Sequence, residues 1–179
     1  MKKINVICVM MIVCFINSAS IFGQSDSKKD KIIADSNTSK AEFIKTDPLM
    51  KSIFNNAYGY VIFPNVGKGG VGVGGAAGNG AVYENNTLIG MAKLSQLSIG
   101  FQAGGQAYRE VIFFESKSAM QRFKESKFEF AAQVSAVAAK AGASGNAKYT
   151  NGVMVFTMQK GGLMYEASVG GQKFKFNKI

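Results

Sequence analysis

The sequence predicts an α+β protein whose sheet is predominantly antiparallel and either barrel-like or sandwich-like, with N-terminal helices and one inserted helix. Hydrophobic residues recur with helical spacing up to about residue 57 and alternate with a period of two from Tyr60 onward. All of the 21 glycines except Gly23 lie within residues 59–179. Turn residues such as the pair Asn85-Asn86 separate the alternating segments. We therefore expect eight to ten short strands.

Residues 1–23 are typical of a secretory signal peptide. A short basic start precedes the apolar run 6–16, and small residues follow in 17–23. The run is shorter than the roughly 20 residues that span a bilayer. Both cysteines lie in it, so cleavage after Gly23 or Ser20 leaves a mature chain without cysteine, as an oxidising compartment allows. We predict an exported protein that is periplasmic, secreted or membrane-associated.

The segment between this leader and the domain is polar and rich in lysine. Residues 24–42 are therefore either a polar linker or a loosely amphipathic helix. Ser39 and Glu42 have the spacing of a capping box, which predicts that a helix begins there. Asp47 followed by Pro48 predicts the N-terminus of a second helix. The folded domain is assigned to residues 43–179.

The strands are predicted from the alternation of apolar with polar or small residues, and their ends from residues that interrupt a strand. Residues 60–63 form a short strand that Pro64 stops. The glycines and alanines of 71–78 give a strand with one nearly bare face, which invites close approach by another backbone or a helix. Residues 97–103 alternate as a half-buried strand, and 108–114 are apolar on both faces, which predicts a central strand.

The remaining elements continue the sheet after one helix. Ser116 or Ser118 caps a short amphipathic helix. The alanine-rich segment 128–139 is compatible with strand or helix, and its strict period of two favours strand. A strand at 153–158 and a final hairpin within 163–176 complete the prediction.

The residue inventory argues against an enzyme. The chain has no histidine and no tryptophan, and its four aspartates all precede the β-rich region. Glycines 70, 72 and 75 have dinucleotide spacing but are followed by another strand, whereas a nucleotide site needs a helix. Glu110 beside Arg109 is interpreted as a surface or structural ion pair. We predict no catalytic residue, no metal and no cofactor.

The basic residues remain as candidates for binding. Without the leader, 19 basic side chains face 11 acidic ones, a net charge of +8. For an exported protein this favours anionic lipid, an envelope polymer or an acidic partner over nucleic acid, although a merely solvated basic surface is an alternative. The predicted lipid-binding residues are Lys68, Lys93, Arg109, Lys160, Lys173 and Lys175. The tripeptide Lys-Gly-Gly occurs at 68–70 and again at 160–162, each time after a predicted strand. This internal repeat predicts that Lys68 and Lys160 lie on equivalent turns.

Several blocks together resemble the SYLF domain, a lipid-binding domain also known as Ysc-type actin-binding. They are 57–64 (AYGYVIFP), the glycine-rich strand 68–80, 98–106 (SIGFQAGGQ), 111–114 (VIFF) and 160–164 (KGGLM). The resemblance runs from about residue 43 to the C-terminus. Two departures concern one segment: Phe128 stands where the family often has Trp, and Ala131, Ala132 and Gln133 replace a stretch that commonly holds Gly and Asp.

The resemblance implies phospholipid binding. Eukaryotic relatives bind phosphoinositides and in some cases actin filaments, and exported bacterial relatives are small stand-alone domains. Actin is not expected as a partner of an exported chain. We therefore predict a non-enzymatic protein of the bacterial cell envelope that binds anionic phospholipid or a membrane surface. The alternative is a small outer-membrane β-barrel or a structural envelope protein.

Overall fold

The computed structural model describes residues 6–71, 73–99, 106–126, 136–160 and 169–179. Two helices come first, α1 (Val6–Thr46) and α2 (Met50–Asn56). The other elements are β1 (Gly59–Val71), β2 (Val73–Glu84), β3 (Thr87–Ile99), β4 (Gln106–Phe114), α3 (Lys117–Lys124), β5 (Val137–Ala138), a 3-10 helix (Ala143–Asn146), β6 (Val153–Gln159) and β7 (Gln172–Lys178).

The described strands form a single sheet in the order β5-β6-β4-β1-β2-β3-β7. All neighbours are antiparallel except β5 and β6, and no described pairing joins the end strands β5 and β7. The predicted α+β class is therefore confirmed. The described strands are fewer and longer than expected, because the glycine-rich segments continue strands instead of interrupting them.

The sheet is strongly coiled. Gln172 on β7 donates through Nε2 to Glu110 Oε2 on β4 at 3.0 Å, although three strands lie between them in the sheet. Four strand spacings of a flat sheet would be about 19 Å. The rings of Phe63 on β1 and Phe174 on β7 are likewise only 5.8 Å apart. The sheet thus has an enclosed inner face and an outer face, which we call the helix face because α1 packs there.

The inner face holds the larger hydrophobic cluster. Its largest side chains are aromatic and fully buried, and α3 contributes Ala119, Met120 and Phe123 to it. The hydroxyl of Ser116 accepts a hydrogen bond from the Ala119 amide at 3.4 Å, which confirms the first of the two predicted caps. Burial of α3's apolar side against the cluster explains why this short helix forms.

The helix face holds a second cluster, built from α1, α2 and the sheet. Phe43 and Phe54 are fully buried there, and the Phe54 ring packs edge-on to Tyr60 at 5.1 Å. Lys40 Nζ lies 4.8 Å above the Tyr60 ring centroid, and burial lowers the pKa of this amine. This contact between a cation and an aromatic ring ties α1 to β1.

Residues 24–42 lie within α1. Ser39 is therefore in mid-helix, where its hydroxyl donates to the Asp35 carbonyl oxygen at 2.8 Å. The predicted capping box of Ser39 and Glu42 is wrong, because the helical pattern continues on both sides of it. Ser36 and Ser39 are instead small buried residues that allow α1 to approach the sheet.

Pro64 does not stop the first strand. β1 continues to Val71, and its register with both neighbours shifts between Ile62 and Val66. A β-bulge at this point accommodates a residue that lacks an N–H group. The structure corrects the prediction because the expected end of the strand is an irregularity inside it.

Two other sequence predictions are confirmed, and two more fall largely outside the described residues. Asn85 and Asn86 have φ values of 49° and 63° and form the turn between β2 and β3. β4 lies between β6 and β1, so the predicted central strand is confirmed. Most of 128–139 and the first half of the expected hairpin, 163–168, lie outside the described residues, and β7 pairs with β3.

Asp47 anchors the start of α2, although not as its cap residue. Its Oδ1 accepts from the Leu49 amide at 3.2 Å, and its Oδ2 accepts from the Ser144 amide at 2.8 Å. Burial by itself would raise the pKa of this carboxyl, but the hydrogen bonds from Ser144 and Leu49 outweigh it and lower the pKa. The segment before α2 is thereby joined to the 3-10 helix.

We expect Asp47→Ala to destabilise the protein by about 1–3 kcal/mol, because it leaves buried amide groups without an acceptor. Asp47→Asn keeps one oxygen and should lie between Asp47→Ala and the wild type. Urea unfolding of the three proteins measures the order. Equal stability of Asp47→Ala and the wild type would contradict this role.

Candidate functional site

Four of the six predicted binding residues lie towards one end of the sheet, which we call the basic end, and Lys93 and Lys175 lie beside it at the middle of β3 and β7. This end contains the last residues of β1, β3 and β6 and the first residues of β2, β4 and β7. Lys68, for example, stands opposite Gln106 near the start of β4. Antiparallel pairing of β3 with β7 brings together residues that are 76–88 positions apart in the chain. The sequence alone does not specify this grouping, because it depends on the strand order.

Two rows of cross-strand neighbours form an exposed surface on the helix face of the basic end. Directly opposed residues in a sheet share one face. The first row runs Lys175, Lys93, Asn79, Asn65, and the second runs Lys173, Ser95, Ala77, Gly67, Ala107. Their side chains are exposed, apart from a half-buried Ala107. We call the small and polar members, Asn65, Gly67, Ala77, Asn79, Ser95 and Ala107, the platform.

Three lysines border the platform on the side of β3 and β7. Lys93 and Lys175 are directly opposite each other, and Lys173 lies two residues further along β7 on the same face. Opposed side chains have Cβ atoms about 4.5–5.5 Å apart, and like charges at that distance destabilise a sheet. No carboxylate in the described ranges forms an ion pair with Lys93 or Lys175. We call Lys93, Lys173 and Lys175 the lysine cluster.

Leu97 follows this cluster on the same face of β3. Residues 93, 95 and 97 alternate to one side, and the Leu97 side chain is 84% exposed. The sequence prediction placed Leu97 on the apolar, buried side of a half-buried strand, which is wrong at this position. The signal that could have identified it is the alternation Lys93, Ser95, Leu97, which continues a polar face.

Arg109 and Lys160 border the platform on the opposite side. The Lys160 amide donates to the Ala107 carbonyl oxygen at 2.9 Å, so Lys160 extends the second row beyond β4. Partial burial, and then repulsion by Arg109, lower the pKa of the Lys160 amine, while nearby Asp35 opposes this. Positive side chains therefore stand on both sides of the platform.

Lys68 has a different position from the one predicted. It lies within β1 rather than on a turn, and it shares the inner face with Val66, whereas Lys160 lies on the helix face. The two lysines are one row apart in register, and successive rows point to opposite faces. The internal Lys-Gly-Gly repeat does not create two equivalent turns.

The sequence interpretation of Glu110 is also corrected. Glu110 is fully buried on the inner face, and Arg109, its neighbour in the strand, points to the helix face, so they do not form an ion pair. Burial raises the pKa of the Glu110 carboxyl to about 8, against hydrogen bonds from Gln172 and Tyr108. This cluster is not visible in the sequence because Gln172 reaches it only through the coiling of the sheet.

The described part of the chain lacks two features that would point to other classes of site. No group of three or more His, Cys, Asp or Glu side chains comes together there to hold a metal ion. No helix in the described ranges has both the length and the apolar composition of a bilayer-crossing segment. Fold and surface together define an α+β domain with a coiled antiparallel sheet and a basic end.

Comparison with known proteins finds one similar family. Residues 95–178 match the model of the Ysc84 family, described as "Las17-binding protein actin regulator". A curated relative, Beta cell expansion factor A of Aeromonas veronii, is 28% identical over 142 residues, which cover 79% of this chain and 54% of the relative. The chain thus spans about half the length of that relative. The chain is therefore similar to the Ysc84 or SYLF family, a family associated with lipid or actin, and the resemblance of its motifs is confirmed.

Proposed function

We propose that this chain is a non-enzymatic phospholipid-binding protein of the bacterial cell envelope, and that the lysine cluster binds anionic headgroups. The observation that carries the proposal is the direct opposition of Lys93 and Lys175, with Lys173 beside them. Such an arrangement costs folding stability, and an anionic surface would offset that cost. Export by the N-terminal leader is part of the proposal, and the family's association with lipid supports the class of partner.

The exposed Leu97 supports a membrane surface rather than a soluble anion. An apolar side chain next to lysines can enter the boundary between headgroups and acyl chains while the amines meet phosphate. Each lysine near an anionic surface contributes about 1 kcal/mol, and salt screens the contribution. Arg109 and Lys160, on the other side of the platform, would add attraction at longer range.

The proposal predicts that Lys173→Glu combined with Lys175→Glu weakens binding to anionic vesicles by roughly 30-fold or more, since at least about 2 kcal/mol is lost. Co-sedimentation with phosphatidylglycerol-containing and pure phosphatidylcholine vesicles, at low and high salt, measures the effect. The wild type should bind only the anionic vesicles, and salt should release it.

The matched control is Lys51→Glu combined with Lys148→Glu. Both lysines are exposed. Lys51 lies in α2 and Lys148 is next to Tyr149, away from the basic end. The control carries the same change of net charge and should keep most of the binding. If both double variants lose binding equally, net charge rather than the lysine cluster drives the association and the site assignment fails.

A further inference from the structure

A groove lies between α1 and the strands β3 and β7, on the side of the lysine cluster that faces away from the basic end. It has a volume of about 590 Å³, within the range of about 300–1,000 Å³ that is usual for small-molecule sites. Lys28 and Lys29 of α1, Lys93 of β3 and Lys178 of β7 line it together with Ile32 and Met91. The groove begins at Lys93 of the lysine cluster and runs alongside α1 towards the last residues of β7.

The side chains that line the groove are of two kinds, charged amines and apolar groups. Four amines give the groove a positive charge, and only Lys29 has an ion-pair partner in the described part of the chain, Asp26 at 3.2 Å. Ile32 and Met91 are half-buried and supply apolar surface between α1 and β3. A ligand that satisfies both features has a negatively charged head and a narrow apolar tail.

We propose that this groove holds one alkyl chain of a single-chain phospholipid, with its phosphate against the surrounding lysines. The proposal rests on the proposed function and goes further than it, because a groove beside a helix takes up a lipid monomer, whereas the lysine cluster only meets a surface. Burial of each methylene group is favourable by about 0.8 kcal/mol, so the chain adds affinity to the charge pairing.

Three probes, used below their critical micelle concentrations, distinguish the contribution of the charged head from that of the alkyl tail to the affinity. Dodecyl phosphate should bind saturably at one site per chain in isothermal titration. Glycerol 3-phosphate, which lacks the tail, should bind at least 30-fold more weakly. Dodecyltrimethylammonium, which has the tail and the opposite charge, should not bind; equal affinity for it would mean apolar adsorption and would overturn the proposal.

One substitution tests the position. Asn177 is an exposed groove-lining residue of β7, and Asn177→Phe should fill the space and lower the affinity for dodecyl phosphate at least tenfold. Asn55→Phe, at an exposed position on α2, is the matched control and should bind normally. Unchanged binding by Asn177→Phe would place the site elsewhere and overturn the proposal.

The two functional proposals fail in different ways. Asn177→Phe should lose dodecyl phosphate and keep its binding to anionic vesicles, because Asn177 belongs to neither the lysine cluster nor the platform. Lys173→Glu combined with Lys175→Glu should do the reverse, because neither lysine lines the groove. Vesicle binding without any dodecyl phosphate binding overturns the groove alone, and loss of wild-type binding to vesicles and probe alike overturns both.

Discussion

Glu110→Gln is expected to stabilise the protein by several kcal/mol at pH 8 and above, and to leave its stability near pH 4 almost unchanged. The Glu110 carboxyl is fully buried, and burial raises its pKa from about 4.5 to about 8, although hydrogen bonds from Gln172 and Tyr108 oppose this. One unit of pKa corresponds to about 1.4 kcal/mol, so the ionised form costs about 5 kcal/mol.

The direction of the pH dependence follows from proton binding. Between pH 4.5 and 8 the folded protein keeps the Glu110 proton, while the unfolded chain has lost it. The contribution of Glu110 to stability is therefore complete below about pH 4.5, falls as the pH rises towards 8, and is lost above it. The chain has no histidine, so no imidazole titrates in this window.

The amide of Glu110→Gln also fits its surroundings. Gln172 Nε2 can still donate to the retained oxygen, and Thr157, directly opposite on β6, has a buried hydroxyl without a partner in the described residues. Urea unfolding at pH 5, 7 and 9 measures the effect, with Glu115→Gln, at an exposed position, as the control. Parallel pH profiles of Glu110→Gln and the wild type would contradict the assignment.

The local elements are the part of this fold that can be read from the sequence. Ser116 is a helix cap because its side chain can serve an amide three residues away, and Asn85-Asn86 form a turn because both tolerate positive φ. β4 is identified as central because apolar side chains on both of its faces need burial on both sides.

Features that depend on contacts between distant parts of the chain cannot be predicted from local sequence patterns. The bulge at Pro64 keeps β1 continuous only because two partner strands hold it on either side. Lys173 and Ser95 become neighbours through pairing across 78 positions of sequence, and nothing local to β3 or β7 encodes that register. The exposure of Leu97 follows from the same register, since a shift by one residue would turn it inward.

The candidate site likewise has a part that the sequence predicts and a part that depends on the strand order. Composition and charge select the six basic residues, and the structure places four of them towards the basic end and the other two, Lys93 and Lys175, beside it. Only the strand order separates them into the lysine cluster, the pair Arg109 and Lys160 across the platform, and Lys68 on the inner face. The groove depends on the distance that separates α1, which packs on β1 and β2, from β3 and β7, and the helical pattern of residues 24–42 does not specify it.

Gly80→Ala is expected to destabilise the protein by about 2–3 kcal/mol, in contrast to Gly67→Ala, which should be neutral or stabilising. The sequence pattern predicts a strand with a nearly bare face, and Gly80 shows what approaches it. A Cβ atom there would lie 2.5 Å from the Ile62 carbonyl oxygen and 2.7 Å from Phe63 Cδ1. Because the nearest atom belongs to the backbone at the β1 bulge, the strand itself would have to move.

Gly67 provides the comparison because it lies in the neighbouring strand with no atom within 4 Å of its added Cβ, on the exposed platform. Its φ is not positive, so alanine fits the backbone, and the lower entropy of the unfolded chain should add about 0.4–1 kcal/mol of stability. Thermal and urea unfolding of both variants measure the difference. Equal effects would mean that the glycines serve strand flexibility in general; a large difference would mean that the inner face needs bare backbone at Gly80, while the platform of Gly67 is free to meet a partner.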